Sequence, residues 1–150
     1  MFTFGQVTLK MHFYGQAHTP SDLSIEVLPD RVTYVGDVAM DNRIANMDDG
    51  SFVGTFAYYE ALKQNAGEQL WLPGHGRPSP TLLADYGAFM AGIYEPSLQT
   101  VEEGLDMDVA RARVLSDPRV APHADTMLGF ASNIGKYISL AYLEAERIAF

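Results

Sequence analysis

Three short segments of this chain carry side chains that bind metal ions. They are Gln16-Ala17-His18-Thr19-Pro20-Ser21-Asp22, Tyr34-Val35-Gly36-Asp37 and Leu72-Pro73-Gly74-His75-Gly76. Imidazole and carboxylate groups hold zinc at about 2.0–2.2 Å when rigid element ends converge on it. A zinc ion with an open position activates water for hydrolysis. The sequence has no cysteine, so thiolate ligands, disulfides and a Cys nucleophile are excluded. Any transition metal must then rest on His and carboxylate, which suits zinc, with iron or manganese as alternatives. Each residue also has a structural reading. His18 can bond to the backbone of its own loop, and Asp37 can close a turn. His75, set between two glycines, has little structural reason to be there.

The elements that must position these residues are legible from periodicity. Val7, Leu9, Met11 and Phe13 alternate with polar neighbours, the period of a half-buried strand that Gly15 ends. Leu23, Ile25 and Val27 alternate in the same way. The Pro29-Asp30 turn leads to a strand at Val32–Val35, which suggests a hairpin. Ser51 or Asp49 caps a helix with Phe52, Phe56, Tyr59 and Leu62 at helical spacing, ended by Asn65-Ala66-Gly67. Residues 69–72 read as a short strand stopping at Pro73-Gly74. From Ser79-Pro80 onward the pattern is helical, with Ser79 as cap and Pro80 in the first turn. Pro96 interrupts that run or starts the next helix. A short helix is predicted near 108–115, and a last one from about Asp125 to the end. In this order His18, Asp37 and His75 each lie just beyond a predicted strand. With the strand ends aligned, the three side chains meet at one sheet edge. Gly36, Gly74 and Gly76 let the backbone turn tightly there.

The ordered set resembles the metallo-β-lactamase superfamily. Ala17-His18-Thr19-Pro20-Ser21-Asp22-Leu23 is similar to that family's third-histidine loop. Tyr34-Val35-Gly36-Asp37 resembles its strand-end Gly-Asp, and Leu72-Pro73-Gly74-His75-Gly76 its last-histidine loop. The resemblance covers roughly residues 5–80, as a C-terminal half of the fold. Residues 81–150 resemble a helical extension, and the whole is expected to be a single domain. The implied fold is α+β, half of an αββα sandwich, with a mostly antiparallel sheet covered by helices on one face. The implied ligands are His18, Asp37 and His75, with Asp37 bridging metals or holding the hydroxide as the catalytic carboxylate. The His-x-His-x-Asp-His loop of the first half has no counterpart here. His12 and His123 do not form such a cluster, so one chain offers one metal three ligands at most. Zinc at one or none per chain is the expectation. Arg43, a few residues past Asp37, is the candidate for meeting a substrate anion. Asp22 and Asp41 can orient a histidine, with turn capping as the plainer role.

Bulk properties bound the function. A chain of 150 residues suffices for one real core. Its net charge of −9, without a Lys/Arg cluster, argues against nucleic acid and against an acidic membrane surface. No apolar run approaches the roughly 18 residues of a spanning helix. Met1-Phe2-Thr3-Phe4 has no basic n-region, so location stays open with the cytoplasm favoured. Two functions compete. One is a metal-dependent hydrolase, activating water for ester, thioester or amide hydrolysis of a small molecule and completed by a complementary N-terminal half. The other is a non-catalytic interaction protein, a homodimer of half-folds that cover each other's apolar sheet face.

Overall fold

The structure is a computed structural model that describes residues 1–149. Five strands form one sheet in chain order: β1 (Phe2–Phe4), β2 (Val7–His12), β3 (Ser24–Leu28), β4 (Val32–Gly36) and β5 (Leu70–Pro73). The first four pair antiparallel, and β5 pairs parallel to β4. A parallel neighbour needs a crossover, which α1 (Phe52–Ala66) supplies. Three more helices follow: α2 (Leu82–Glu102), α3 (Met107–Ser116) and α4 (Phe130–Ala149). This is the α+β arrangement expected, with helices on one face of a mostly antiparallel sheet.

The two faces of the sheet are unlike. One carries Lys10 opposite Glu26, Glu26 opposite Thr33, and Thr33 opposite Trp71. His12, Ser24, Glu26, Thr33 and Trp71 are buried on this side. The polar side chains His12, Ser24, Glu26 and Thr33 are satisfied by one another and by Tyr14, Tyr58 and Gln69. His12 bonds Tyr14 Oη and Glu26 Oε2 at 2.8 Å each, Tyr58 Oη lies 3.1 Å from Ser24 Oγ, and Thr33 donates to Gln69. His12 is therefore a satisfied strand residue. The opposite face reads Phe2–Leu9–Val27–Val32–Leu70 and Met11–Ile25–Tyr34–Leu72 across the strands. Phe2, Phe4, Val7, Met11, Phe13, Leu23, Tyr34 and Leu70 are all exposed.

Helix α1 forms where the sequence placed it. Ser51 Oγ accepts from Gly54 N at 2.8 Å, and Gly67, with φ 71°, ends the helix. Helix α2 begins two residues later than the Ser79-Pro80 signal suggests. Ser79 is used instead in a backbone bridge with Trp71, exchanging both hydrogen bonds. Pro96 does not end α2. Packing on both sides of it, by Phe89, Met90 and Ile93 before and by Ser97, Thr100 and Val101 after, outweighs one lost hydrogen bond. The last helix starts at Phe130 and not near Asp125. Leu128 pairs with the 42–44 loop, and a Cβ at Gly129 would stand 2.3 Å from the Ile44 carbonyl. Strand β1 has too few residues to show a period; the Gly5 turn (φ 61°) folds it back onto β2. No helix among the described residues is long and apolar enough to cross a membrane.

Candidate metal centre

The β4 and β5 ends lie side by side because the strands run parallel, so Asp37 and His75 leave the sheet at the same edge. Gly74 N donates to the Gly36 carbonyl at 2.7 Å, which ties the two exits together. A Cβ on Gly74 would sit 2.3 Å from Asp37 Oδ1, so the carboxylate occupies the space a side chain would fill. Only glycine is compatible with that approach. His75 Nε2 then stands 3.6 Å from Asp37 Oδ1, with both side chains partly exposed, at 43% and 34%. That is longer than a hydrogen bond, and it leaves both groups available to a third partner.

The loop behind this pair is braced by Asp41. Its backbone N donates to the His75 carbonyl at 3.1 Å, and its carboxylate accepts from Arg77 N at 2.9 Å. Gly76, at φ 101°, has no room for a side chain against Asp41. Asp41 thus holds the His75 loop through backbone contacts. A cleft of about 510 Å³ lined by Asp41, Asn42, Arg77, Pro78 and Ser79 adjoins it. Beneath, burial holds the Tyr86 and Tyr137 phenols protonated above their usual range, with the nearby Asp37 charge a smaller contribution.

His18 sits in its own braced loop. Asp22 accepts from Thr19 N at 2.6 Å and from Thr19 Oγ1 at 3.0 Å, so it closes the turn. The Ala17 carbonyl accepts from Ser51 N at 2.8 Å, fastening the loop to the start of α1. His18 itself is half-buried. Among the described residues no three His, Asp or Glu side chains form a group able to hold a metal ion. The structure therefore brings Asp37 and His75 together and does not join His18 to them as a ligand triad. A zinc site needs three or four ligands. The donors of this chain by themselves do not fit a complete centre.

Arg43 is anchored by its backbone neighbours, which pair with Leu128 ahead of α4. Its Nε is buried without a hydrogen-bond partner among the described residues. His123 lies edge-on to Phe89, ring centroids 5.3 Å apart, and lines a cleft with Asp41, Asn42 and Ser79. Glu144 carries no mark in the sequence. Its Oε1 accepts from Ser51 Oγ and its Oε2 from Phe52 N at 2.7 Å, across 92 residues. No local pattern marks a residue whose partner is that distant.

The arrangement can be set against known structures. Over 94% of its length the chain superposes on the stereoselective inverting sec-alkylsulfatase Pisa1 from Pseudomonas sp., with a TM-score of 0.70 and 18% identity. A metallo-β-lactamase from Pontibacter korlensis matches 55% of the chain, with a TM-score of 0.51 and 20% identity. The fold is metallo-β-lactamase-like. No family model and no curated protein matches the chain. It spans 24% of the alkylsulfatase chain and 41% of the lactamase chain. In this metallo-β-lactamase-like frame Asp37 and His75 hold strand-end positions on one edge, and the apolar sheet face lies open beside them.

Proposed function

We propose that this chain is the Asp37- and His75-bearing portion of a zinc-dependent hydrolase. The observation that carries the reading is the pairing of Asp37 with His75 at the ends of two parallel strands, in a metallo-β-lactamase-like fold. His18 belongs to the same ligand set and closes on the pair when the remaining ligands are supplied. Those ligands come from a complementary N-terminal half, whose sheet covers the face formed by Phe4, Met11, Phe13 and Tyr34. Zinc supplies a Lewis acid and an activated water when bound. Asp37 is the catalytic carboxylate, and Arg43, a few residues past it, meets an anionic group of the substrate through its guanidinium. Substrates are small esters, thioesters or amides. Sulfate esters join the panel because one structural neighbour is an alkylsulfatase.

The test is reconstitution. The chain is mixed with a separately made N-terminal half carrying the His-x-His-x-Asp-His loop. Metal per complex is read by elemental mass spectrometry, and hydrolysis is read on the panel. We expect metal uptake and chelator-sensitive turnover, both reduced at least 10-fold in Asp37→Asn and His75→Ala. A well-formed complex with neither metal nor turnover would sink the reading. The exposed apolar face also favours a second reading, a non-catalytic homodimer that covers that face with its own copy. A metal-free dimer of the isolated chain that refuses the N-terminal half would establish it instead.

A further inference from the structure

A cleft of about 610 Å³ opens between α3, α4 and the loop before α1. Neither His18, Asp37 nor His75 lines it, so it is separate from the metal edge. Its lining is divided by chemistry. Ala131 and Leu140 supply apolar surface, with the buried Met47 and Tyr137 beneath, and Arg111 and Lys136 supply two cations. Ser132 and Ser139 add hydroxyls from the same α4 face, at the helical spacing 132, 136, 139. Gly135 lies at the middle of that face. The Arg111 guanidinium is 3.6 Å from where its Cβ would be, so it rests against α4 over a residue without a side chain.

Charge makes this pairing informative. The chain carries 19 acidic and 10 basic residues, so an approaching anion is repelled by most of the surface. Among the described residues Arg113 and Arg119 are engaged by carboxylates, whereas Arg111 has no ion-pair partner. Lys136 Nζ stands 3.8 Å from Asp48 Oδ1, with both side chains more than half exposed. Such a pair is weak and is easily reorganised by a better acceptor. Asp48 cancels one of the two cations, leaving the cleft with a single net positive charge. A guanidinium offers a two-pronged donor suited to carboxylate or phosphate oxygens. The apolar residues beside it suit a hydrocarbon body.

We propose that the Arg111–Lys136 cleft binds a small organic oxyanion, its charged head on the two cations and its apolar body against Ala131 and Leu140. The site is independent of metal and of the hydrolase reading.

The test uses the full chain in chelator, titrated calorimetrically with hexyl phosphate, hexanol and inorganic phosphate. Amide shifts of Ser132, Gly135 and Ser139 are followed by NMR. We expect saturable binding of hexyl phosphate, shifts at those three amides, and at least 10-fold weaker binding of the other two probes. The R111Q/K136Q double variant should lose at least 10-fold in affinity while melting normally, since both side chains are exposed. Arg147→Gln, on the same helix outside the cleft, should bind as the parent does. Equal binding by hexanol, or undiminished binding in the double variant, overturns the anion site. Equal binding by inorganic phosphate overturns the apolar-bodied ligand, and shifts confined to other residues overturn the location.

Discussion

At the scale of single residues, the most informative side chain is one with no chemical role. Glu144 of α4 reaches the first turn of α1 and accepts from Ser51 Oγ and Phe52 N. A carboxylate there satisfies two donors and faces the positive end of the helix dipole. It also steadies Ser51, whose backbone N is bonded to Ala17 beside His18. Glu144→Ala leaves the buried Phe52 N–H without a partner, so a loss of about 2–3 kcal/mol is expected in urea unfolding. Glu144→Gln keeps one acceptor and should lose roughly half of that. An alanine variant as stable as the parent would mean that water replaces the carboxylate. Asp37 and Gly74 show the complementary case, where a missing side chain makes room for a functional one. Gly74→Ala should disturb Asp37 and its loop more than the helix core, seen as shifts confined to residues 36–37 and 73–77.

At the scale of elements, the sheet has its polar face buried and its apolar face open. The burial of Glu26, His12 and Thr33 is tolerable because each is hydrogen-bonded. The exposure of eight large apolar side chains on one face has no such compensation, and it is the ground for the proposed covering layer. A second sheet at about 10 Å is the natural fit. Met11→Glu puts a charge near the middle of that face. In the isolated chain it should change stability by no more than about 0.5 kcal/mol, because Met11 is exposed. In the presence of the N-terminal half, or of a second copy, it should weaken association by about 3 kcal/mol or more, the cost of burying an unpaired charge. Light scattering and sedimentation read both outcomes. Unimpaired association of the glutamate variant would place the contact elsewhere.

At the scale of the whole molecule, three helices meet around buried tyrosines. Tyr59 of α1, Tyr86 of α2 and Tyr137 of α4 are nearly inaccessible, and Tyr86 Oη lies 3.4 Å from Tyr137 Oη. Desolvation raises all three, and pushes Tyr137 up to about 12 from 10.0. A raised folded-state value means that the neutral phenol is favoured by folding. That stability is complete below pH 10.0 and is lost as pH rises toward about 12. Alkaline unfolding should therefore be cooperative. Near-ultraviolet dichroism and part of the tyrosinate absorbance should change together above pH 10.0, and Tyr137→Phe should lessen the pH dependence of stability there. Full ionisation of all eight tyrosines with the dichroism unchanged would refute this. At the acid end, Arg119 holds the Asp117 carboxyl below its usual range. Its contribution is present above the ordinary carboxylate range and is lost as pH falls through the lowered value.

Strands β2 to β5, helix α1 with its Ser51 cap, and the strand-end placing of Asp37 and His75 are legible in the sequence. These rest on local physics: alternation over a few residues, a capping hydroxyl, and glycines where the chain turns. The sequence misjudged boundaries where a distant backbone partner intervened. Ser79 was taken by Trp71, and residues near Leu128 were taken by the Asn42–Ile44 loop. It had no means to find Glu144 or the Arg111–Lys136 cleft, because their parts lie far apart in the chain and carry no shared pattern. Which of the expected ligands meet depends on the folded chain. The parallel pairing of β4 and β5 brings Asp37 to His75, whereas His18 hangs on a separate loop fixed to α1. Ligand identity is a property of residue type; convergence is a property of strand register and loop anchoring, which periodicity does not encode.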